Sequence, residues 1–173
     1  MVLNVDNIVQ TGGLLVIGLM IFAESGLLIG IILPGDSLLL AAGVFAGKGR
    51  LPIGWLLPIV IIAAIIGYEV GYGIGKRIGP RLFKRSDGFL FRKEYIAKTE
   101  TFFHKYGAAT IILARFVANV RTLVSAIAGA SLMNRRNYFI YNVIGAVVWG
   151  GGVTLLGTGW ATTYPTSINT LYR

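Results

Sequence analysis

Five side chains able to carry chemistry stand inside stretches that are otherwise apolar: Glu24, Asp36, Arg115, Asn119 and Arg121. An ionised side chain near the centre of a bilayer costs from about 2.5 to well over 10 kcal/mol, so such groups persist where they pair or line a wet cavity. Glu24 and Asp36 lie twelve positions apart, and Arg115 and Arg121 six apart with Asn119 between them. Two carboxylates set against two guanidiniums make a nearly neutral group, the least costly way to bury any of them, and the four are expected to meet. Arginine's planar fork holds phosphate bidentately, and the acids supply groups that take up and release protons. Substrate binding is therefore assigned to Arg115, Arg121 and Asn119, and proton coupling to Glu24 and Asp36. The plainer alternative is a set of structural ion pairs that only fix the fold.

Other polar residues carry less. Glu69 stands in a glycine-rich apolar stretch near one end, which suits a supporting or snorkelling role beside the site. The single histidine, His104, adjoins Lys105 in a basic segment, with no nucleophile or metal cluster to match it, so neither an enzyme nor a metal site nor a cofactor is expected. Without cysteine the chain has no disulfides and no thiolate chemistry.

The elements that must position these residues follow from composition. The 173 residues are 55% hydrophobic and 13% charged, with a mean hydropathy of +0.73, well outside the soluble range. The net charge of +9 is concentrated: nine of the sixteen Lys and Arg lie between Lys76 and Lys105. Flanked by apolar stretches, that block reads as a cytoplasmic segment near anionic headgroups and argues against nucleic acid as a partner. The first ten residues hold Asp6 and no Lys or Arg, unlike the start of a signal peptide, so the first apolar stretch is expected to stay in the mature protein.

A helix needs roughly 20 apolar residues to cross about 30 Å of hydrocarbon. Residues 14–33 reach that length but contain Glu24 and end at Pro34-Gly35-Asp36, and the apolar run 37–47 is too short to cross. Two apolar arms around a Pro-Gly turn predict a re-entrant hairpin. Residues 107–132 are interrupted by Arg115, Asn119 and Arg121 and leave through Asn134-Arg135-Arg136, basic at both ends, which predicts a second hairpin opening on the cytoplasmic side. The expected fold is an all-α integral membrane protein, with transmembrane helices plus two opposed re-entrant helical hairpins in an inverted-repeat arrangement. Its parts are a first helix and hairpin at 12–50, a transmembrane helix at 51–75 and a basic segment with an amphipathic helix at 76–106. A second hairpin at 107–134, a transmembrane helix at 137–160 and a tail at 161–173 complete one membrane domain. In this topology Lys48 and Arg50 fall on the outer side, against the charge rule. A weak echo between Asp36-Ser37-Leu38 with Ala42-Gly43 and Arg121-Thr122-Leu123 with Ala128-Gly129 accords with two related halves.

These same residues resemble a known family. Phe22-Ala23-Glu24-Ser25-Gly26-Leu27-Leu28, Leu33-Pro34-Gly35-Asp36-Ser37-Leu38-Leu39, Gly71-Tyr72 with Gly75-Lys76-Arg77, and Ala114-Arg115-Phe116 followed by Val120-Arg121-Thr122 and Ala128-Gly129 are similar to the bacterial DedA family, which shares the VTT (SNARE-associated) domain with eukaryotic lipid scramblases. The resemblance runs from about Phe22 to Gly159. It implies a multi-pass transporter of the bacterial cytoplasmic membrane that returns undecaprenyl phosphate, the lipid carrier of cell-wall synthesis, toward the cytoplasmic leaflet under the proton-motive force. The family's essential acids fall on Glu24 and Asp36, and its essential arginines on Arg115 and Arg121. Where many members have proline this chain has Ala118 and Ser125, and where they have an acid it has Tyr68, with Glu69 one place later. A further C-terminal span of many members has no counterpart before Arg173. The expected partners are an anionic isoprenoid phosphate lipid, protons or sodium, membrane lipids and a second copy of the chain in a homo-oligomer. A proton-coupled antiporter or carrier of osmolytes or small cations, and a structural or assembly membrane factor, are the alternatives.

Overall fold

The computed structural model describes residues 5–26, 35–82 and 105–163. Every regular element among them is helical: α1 (Val5–Gly26), α2 (Gly35–Gly47), α3 (Ile53–Leu82), α4 (Thr110–Leu113), α5 (Ala118–Ala130), α6 (Arg135–Ala146) and α7 (Gly152–Thr163). The Pro34 turn, the proposed amphipathic helix, His104 and most of the tail lie outside the described residues.

Two helical runs are long and apolar enough to cross a membrane, Ile53–Arg77 and Arg135–Thr163. Their large side chains divide between a buried face and an outward one. Leu56, Val60 and Ala64 are buried along α3, whereas Trp55, Ile62 and Ile66 are exposed. Apolar residues on both faces suit a helix whose outer side meets lipid. α1 repeats the pattern: Leu14, Ile17, Ile21 and Glu24 share the buried face at helical spacing, and Leu15, Val16 and Leu19 face out. α3 is longer than the stretch 51–75 suggests, because it continues through Gly79 and Pro80 to Leu82.

Glycine decides how these helices meet. A Cβ on Gly75 would strike the Ala126 backbone of α5, and one on Gly129 would strike the Tyr72 backbone, so α3 and α5 touch main chain to main chain. About two turns earlier along the same stripe of α3, Gly67 sits against Ser25 and the Phe22 carbonyl of α1. α2 and α7 form a second such seam, with Gly43 and Gly47 against Thr154 and Thr158, and Gly157 against the Leu40 carbonyl. The Thr158 hydroxyl donates to the Gly43 carbonyl across it, at 3.0 Å. Water expulsion does not drive helices together within a bilayer, so close small-residue packing and such hydrogen bonds supply the attraction.

The interior forms two cores joined by α3. One gathers Leu14, Ile17 and Ile21 with Leu39, Leu56, Val60 and Trp149. The other gathers Tyr68 and Tyr72 with Ile111, Ala114, Val120, Val124 and Tyr138. The interrupted stretch 107–134 is broken at Val117, whose extended backbone (φ −116°, ψ 103°) separates a 3-10 turn at Ala114–Phe116 from α5. α6 and α7 form one continuous rod through a five-residue π turn at Val147–Gly151, which places Trp149 toward the interior.

Candidate functional site

The charged residues of α1, α2 and α5 converge where the two cores meet. Glu24 ends the buried face of α1 and is 3% exposed. Its carboxylate lies against the first residue of α2, so close that a Cβ on Gly35 would overlap it. The amino end of a helix carries partial positive charge, which favours an acid there. Asp36 follows in the first turn of α2.

Arg121 reaches both acids from α5. Its Nη2 donates to Glu24 Oε1, and its Nη1 donates to Asp36 Oδ1 at 2.5 Å. The same Asp36 oxygen accepts a second hydrogen bond, at 3.2 Å, from Trp149 Nε1 in the π turn. The Trp149 ring also lies beside the Arg121 guanidinium, 5.8 Å from its carbon, inside cation–π range.

Arg115 does not join this ion pair, which corrects the expectation that two acids and two arginines meet as one group. Although only 2% exposed, it makes no salt bridge among the described residues. Its Nη2 donates instead to the Asn142 side-chain oxygen at 2.6 Å, and its guanidinium lies 3.7 Å from the centre of the Tyr68 ring. A π face and an amide oxygen together replace the missing carboxylate. Gly145 makes room, since a Cβ there would come within 2.9 Å of Arg115 Nε.

Asn142 carries the connection further. Its Nδ2 donates to the Ile65 carbonyl at 3.1 Å and to Glu69 Oε1 at 3.2 Å, and Arg135 closes the line with a 3.0 Å bond to Glu69 Oε2. Glu69 thus stands between a buried amide and an exposed arginine. It is linked to Arg115 through Asn142 and is remote in bonding from Glu24 and Asp36. The side chain of Asn119 lies outside the described residues.

Between the two groups lies a cavity of about 10 Å³, lined by Glu24, Ser25, Tyr68, Arg115, Arg121 and Trp149. That is the room of roughly one water molecule. Four of the lining residues bury a polar atom without a partner among the described residues: Glu24 Oε2, the Tyr68 hydroxyl, Arg115 Nε and Arg121 Nε. Unpaired buried polar atoms are costly, so the residues around the cavity give up stability. The chemistry available is anion binding by two guanidiniums and proton exchange by two acids, in a closed, ion-paired arrangement.

Three participants escaped the sequence reading. Residues 137–160 pass as a clean apolar span, yet Asn142 sits fully buried within them. A buried amide in such a span needs partners, and that was its signal. Trp149 was visible as an aromatic away from the span ends, where tryptophan is usually found. Tyr68 stood out in the sequence only as the residue at a place where many members of the resembled family carry an acid.

Comparison with known proteins places these features in context. Residues 33–159 match the family model described as the VTT domain. The chain is 46% identical over 147 residues to an uncharacterized membrane protein of Mycobacterium tuberculosis, covering 84% of this chain and 63% of that protein. It is 43% identical over 133 residues to Protein DedA of Escherichia coli, covering 76% of this chain and 61% of the relative. Inner membrane protein YqjA of Escherichia coli is 32% identical over 142 residues, covering 82% and 64%. The chain thus spans somewhat under two thirds of the length of the curated relatives it matches. No solved structure matches it.

Proposed function

The chain belongs to the VTT-domain family of DedA-type membrane proteins, and from that membership we propose that it carries an anionic isoprenoid phosphate, undecaprenyl phosphate by the family resemblance, across a bacterial cytoplasmic membrane. The observation that carries this reading is Arg121, a guanidinium inside the fold that divides itself between Glu24 and Asp36. An arginine whose salt-bridge partners among the described residues are both carboxylates is an anion site with a built-in switch. Protonation of either acid loosens its hold, and a phosphate headgroup takes the freed fork while the isoprenoid tail stays in lipid.

Residues 12–50 and 107–134 act here as re-entrant hairpins opening on opposite faces. Their helices α2 and α5 support this: 13 residues each give about 20 Å, short of a hydrocarbon layer. Arg115 provides the second cation of the phosphate site. The cavity of about 10 Å³ suits a closed state before the acids withdraw. Coupling to the proton-motive force enters this reading through the acid whose protonation frees Arg121, since that acid must lose its proton before Arg121 is recaptured.

The deciding measurement is translocation of a fluorescent polyprenyl phosphate in proteoliposomes. Arg121→Ala and Arg115→Ala are expected to abolish it; transport at the wild-type rate in both would end the phosphate-binding role. A second reading, a proton-coupled carrier of small cations, draws on the cavity size, which suits one water-sized guest. Sodium or potassium flux in the same liposomes, with lipid sidedness unchanged, selects that reading.

A further inference from the structure

Arg121 has two acid partners in unlike surroundings. The Glu24 side chain is 4% exposed and the Asp36 side chain 53% exposed, so one partner is enclosed and the other is about half exposed. Asp36 is also held differently. A single oxygen, Oδ1, accepts from Arg121 Nη1 at 2.5 Å and from Trp149 Nε1 at 3.2 Å. The helix amino end accounts for an acid in the first turn of α2, but not for an indole brought to it from 113 residues away. Tryptophan's N–H is a donor only, and the π turn brings it inward in the middle of an apolar rod.

A guanidinium N–H and an indole N–H converging on one anionic oxygen make a cradle for oxyanions in general. A phosphate oxygen accepts the same two donors with the same geometry. We propose that Asp36 occupies the seat of the substrate headgroup, and that Arg121 Nη1 and Trp149 Nε1 together form that seat for a phosphomonoester oxygen. The inference rests on the reading that Arg121 receives phosphate, and adds to it a new ligand-binding residue, Trp149, and an order of events. Asp36, the exposed partner, gives way to the arriving anion. Glu24, the buried partner, stays and keeps the guanidinium aimed. The resting protein is then inhibited by its own carboxylate, and substrate binding is an exchange of one anion for another.

The test is isothermal titration of the protein in lipid nanodiscs with a water-soluble short-chain isoprenyl monophosphate, with inorganic phosphate, and with the neutral isoprenol as blank. Asp36→Asn and Asp36→Ala are expected to bind the monophosphate about tenfold more tightly than wild type, and Trp149→Phe about tenfold more weakly, each the size of one charge-assisted hydrogen bond. In wild type, the indole 15N–1H resonance that is missing from Trp149→Phe is expected to shift on adding the monophosphate. Tightening confined to the isoprenyl monophosphate identifies a lipid headgroup as the ligand; tightening for inorganic phosphate as well makes the seat one for phosphate from either source. Arg121→Ala separates the two levels of the argument. If it binds as well as wild type, the phosphate reading itself fails. If it loses binding while neither Asp36 variant tightens and the Trp149 resonance stays fixed, phosphate binding at Arg121 stands and the exchange seat is overturned.

Discussion

Tyr68 lies flat against Arg115, with its ring centre 3.7 Å from the guanidinium carbon and its hydroxyl without a partner among the described residues. The ring and not the hydroxyl is what Arg115 uses. Tyr68→Phe should therefore leave thermal stability in detergent unchanged or slightly raised, since it removes an unpaired buried polar atom. Tyr68→Leu should cost about 2 kcal/mol through the lost desolvated cation–π contact. Equal losses in the two variants would show that the hydroxyl matters after all.

Asn142 holds Arg115 and Glu69 with opposite ends of one amide. Asn142→Leu removes the side-chain acceptor of a buried guanidinium, leaving the 3.5 Å contact to the backbone carbonyl, and is expected to destabilise by about 1.5–3 kcal/mol. Asn142→Asp keeps that acceptor but turns a carboxylate toward Glu69. Adding Glu69→Gln to Asn142→Asp should then recover much of the loss, and a double-mutant cycle by chemical denaturation measures the coupling.

Neutralising the two acids should have unequal structural effects. Glu24→Gln weakens the buried half of the Arg121 pair and is expected to lower stability by about 3 kcal/mol or more. Asp36→Asn acts at a half-exposed position, where the expected loss is below about 1 kcal/mol. Thermal melts of the two variants in one detergent give the comparison directly. Arg135→Ala, at the exposed end of the second line, belongs with Asp36→Asn in size, because the Arg135 side chain is 67% exposed.

The glycine seams separate residues that look alike in sequence. Gly75→Ala and Gly129→Ala drive a methyl group into neighbouring backbone and should unfold or strongly destabilise the protein. Gly73→Ala meets nothing within 4 Å and should stabilise α3 by about 0.5–1 kcal/mol, the gain in helix propensity. Limited proteolysis in detergent ranks the three.

Membrane character and the meeting of Glu24, Asp36 and Arg121 were legible in the sequence, because both follow from the cost of burying charge. The crowded glycines of α3 were legible as a packing surface for the same kind of reason: small residues matter in lipid only where backbones approach. Arg115 was not legible in detail. Charge balance pairs it with an acid, but its acceptor is a neutral amide 27 residues on. The span expected at 51–75 continues as helix to Leu82, with Gly75 packed closely on Ala126. Trp149 lies away from the span ends where tryptophan is usually found, but a π turn has no local spelling that would direct it to Asp36.

Arg121 belongs to α5, Glu24 to α1 and Asp36 to α2, so one guanidinium buttons together three helices drawn from opposite ends of the chain. Its two partners differ in exposure, so on the exchange proposed for Asp36 the fastening opens one helix at a time: α2 is let go while Glu24 still ties α1 to α5.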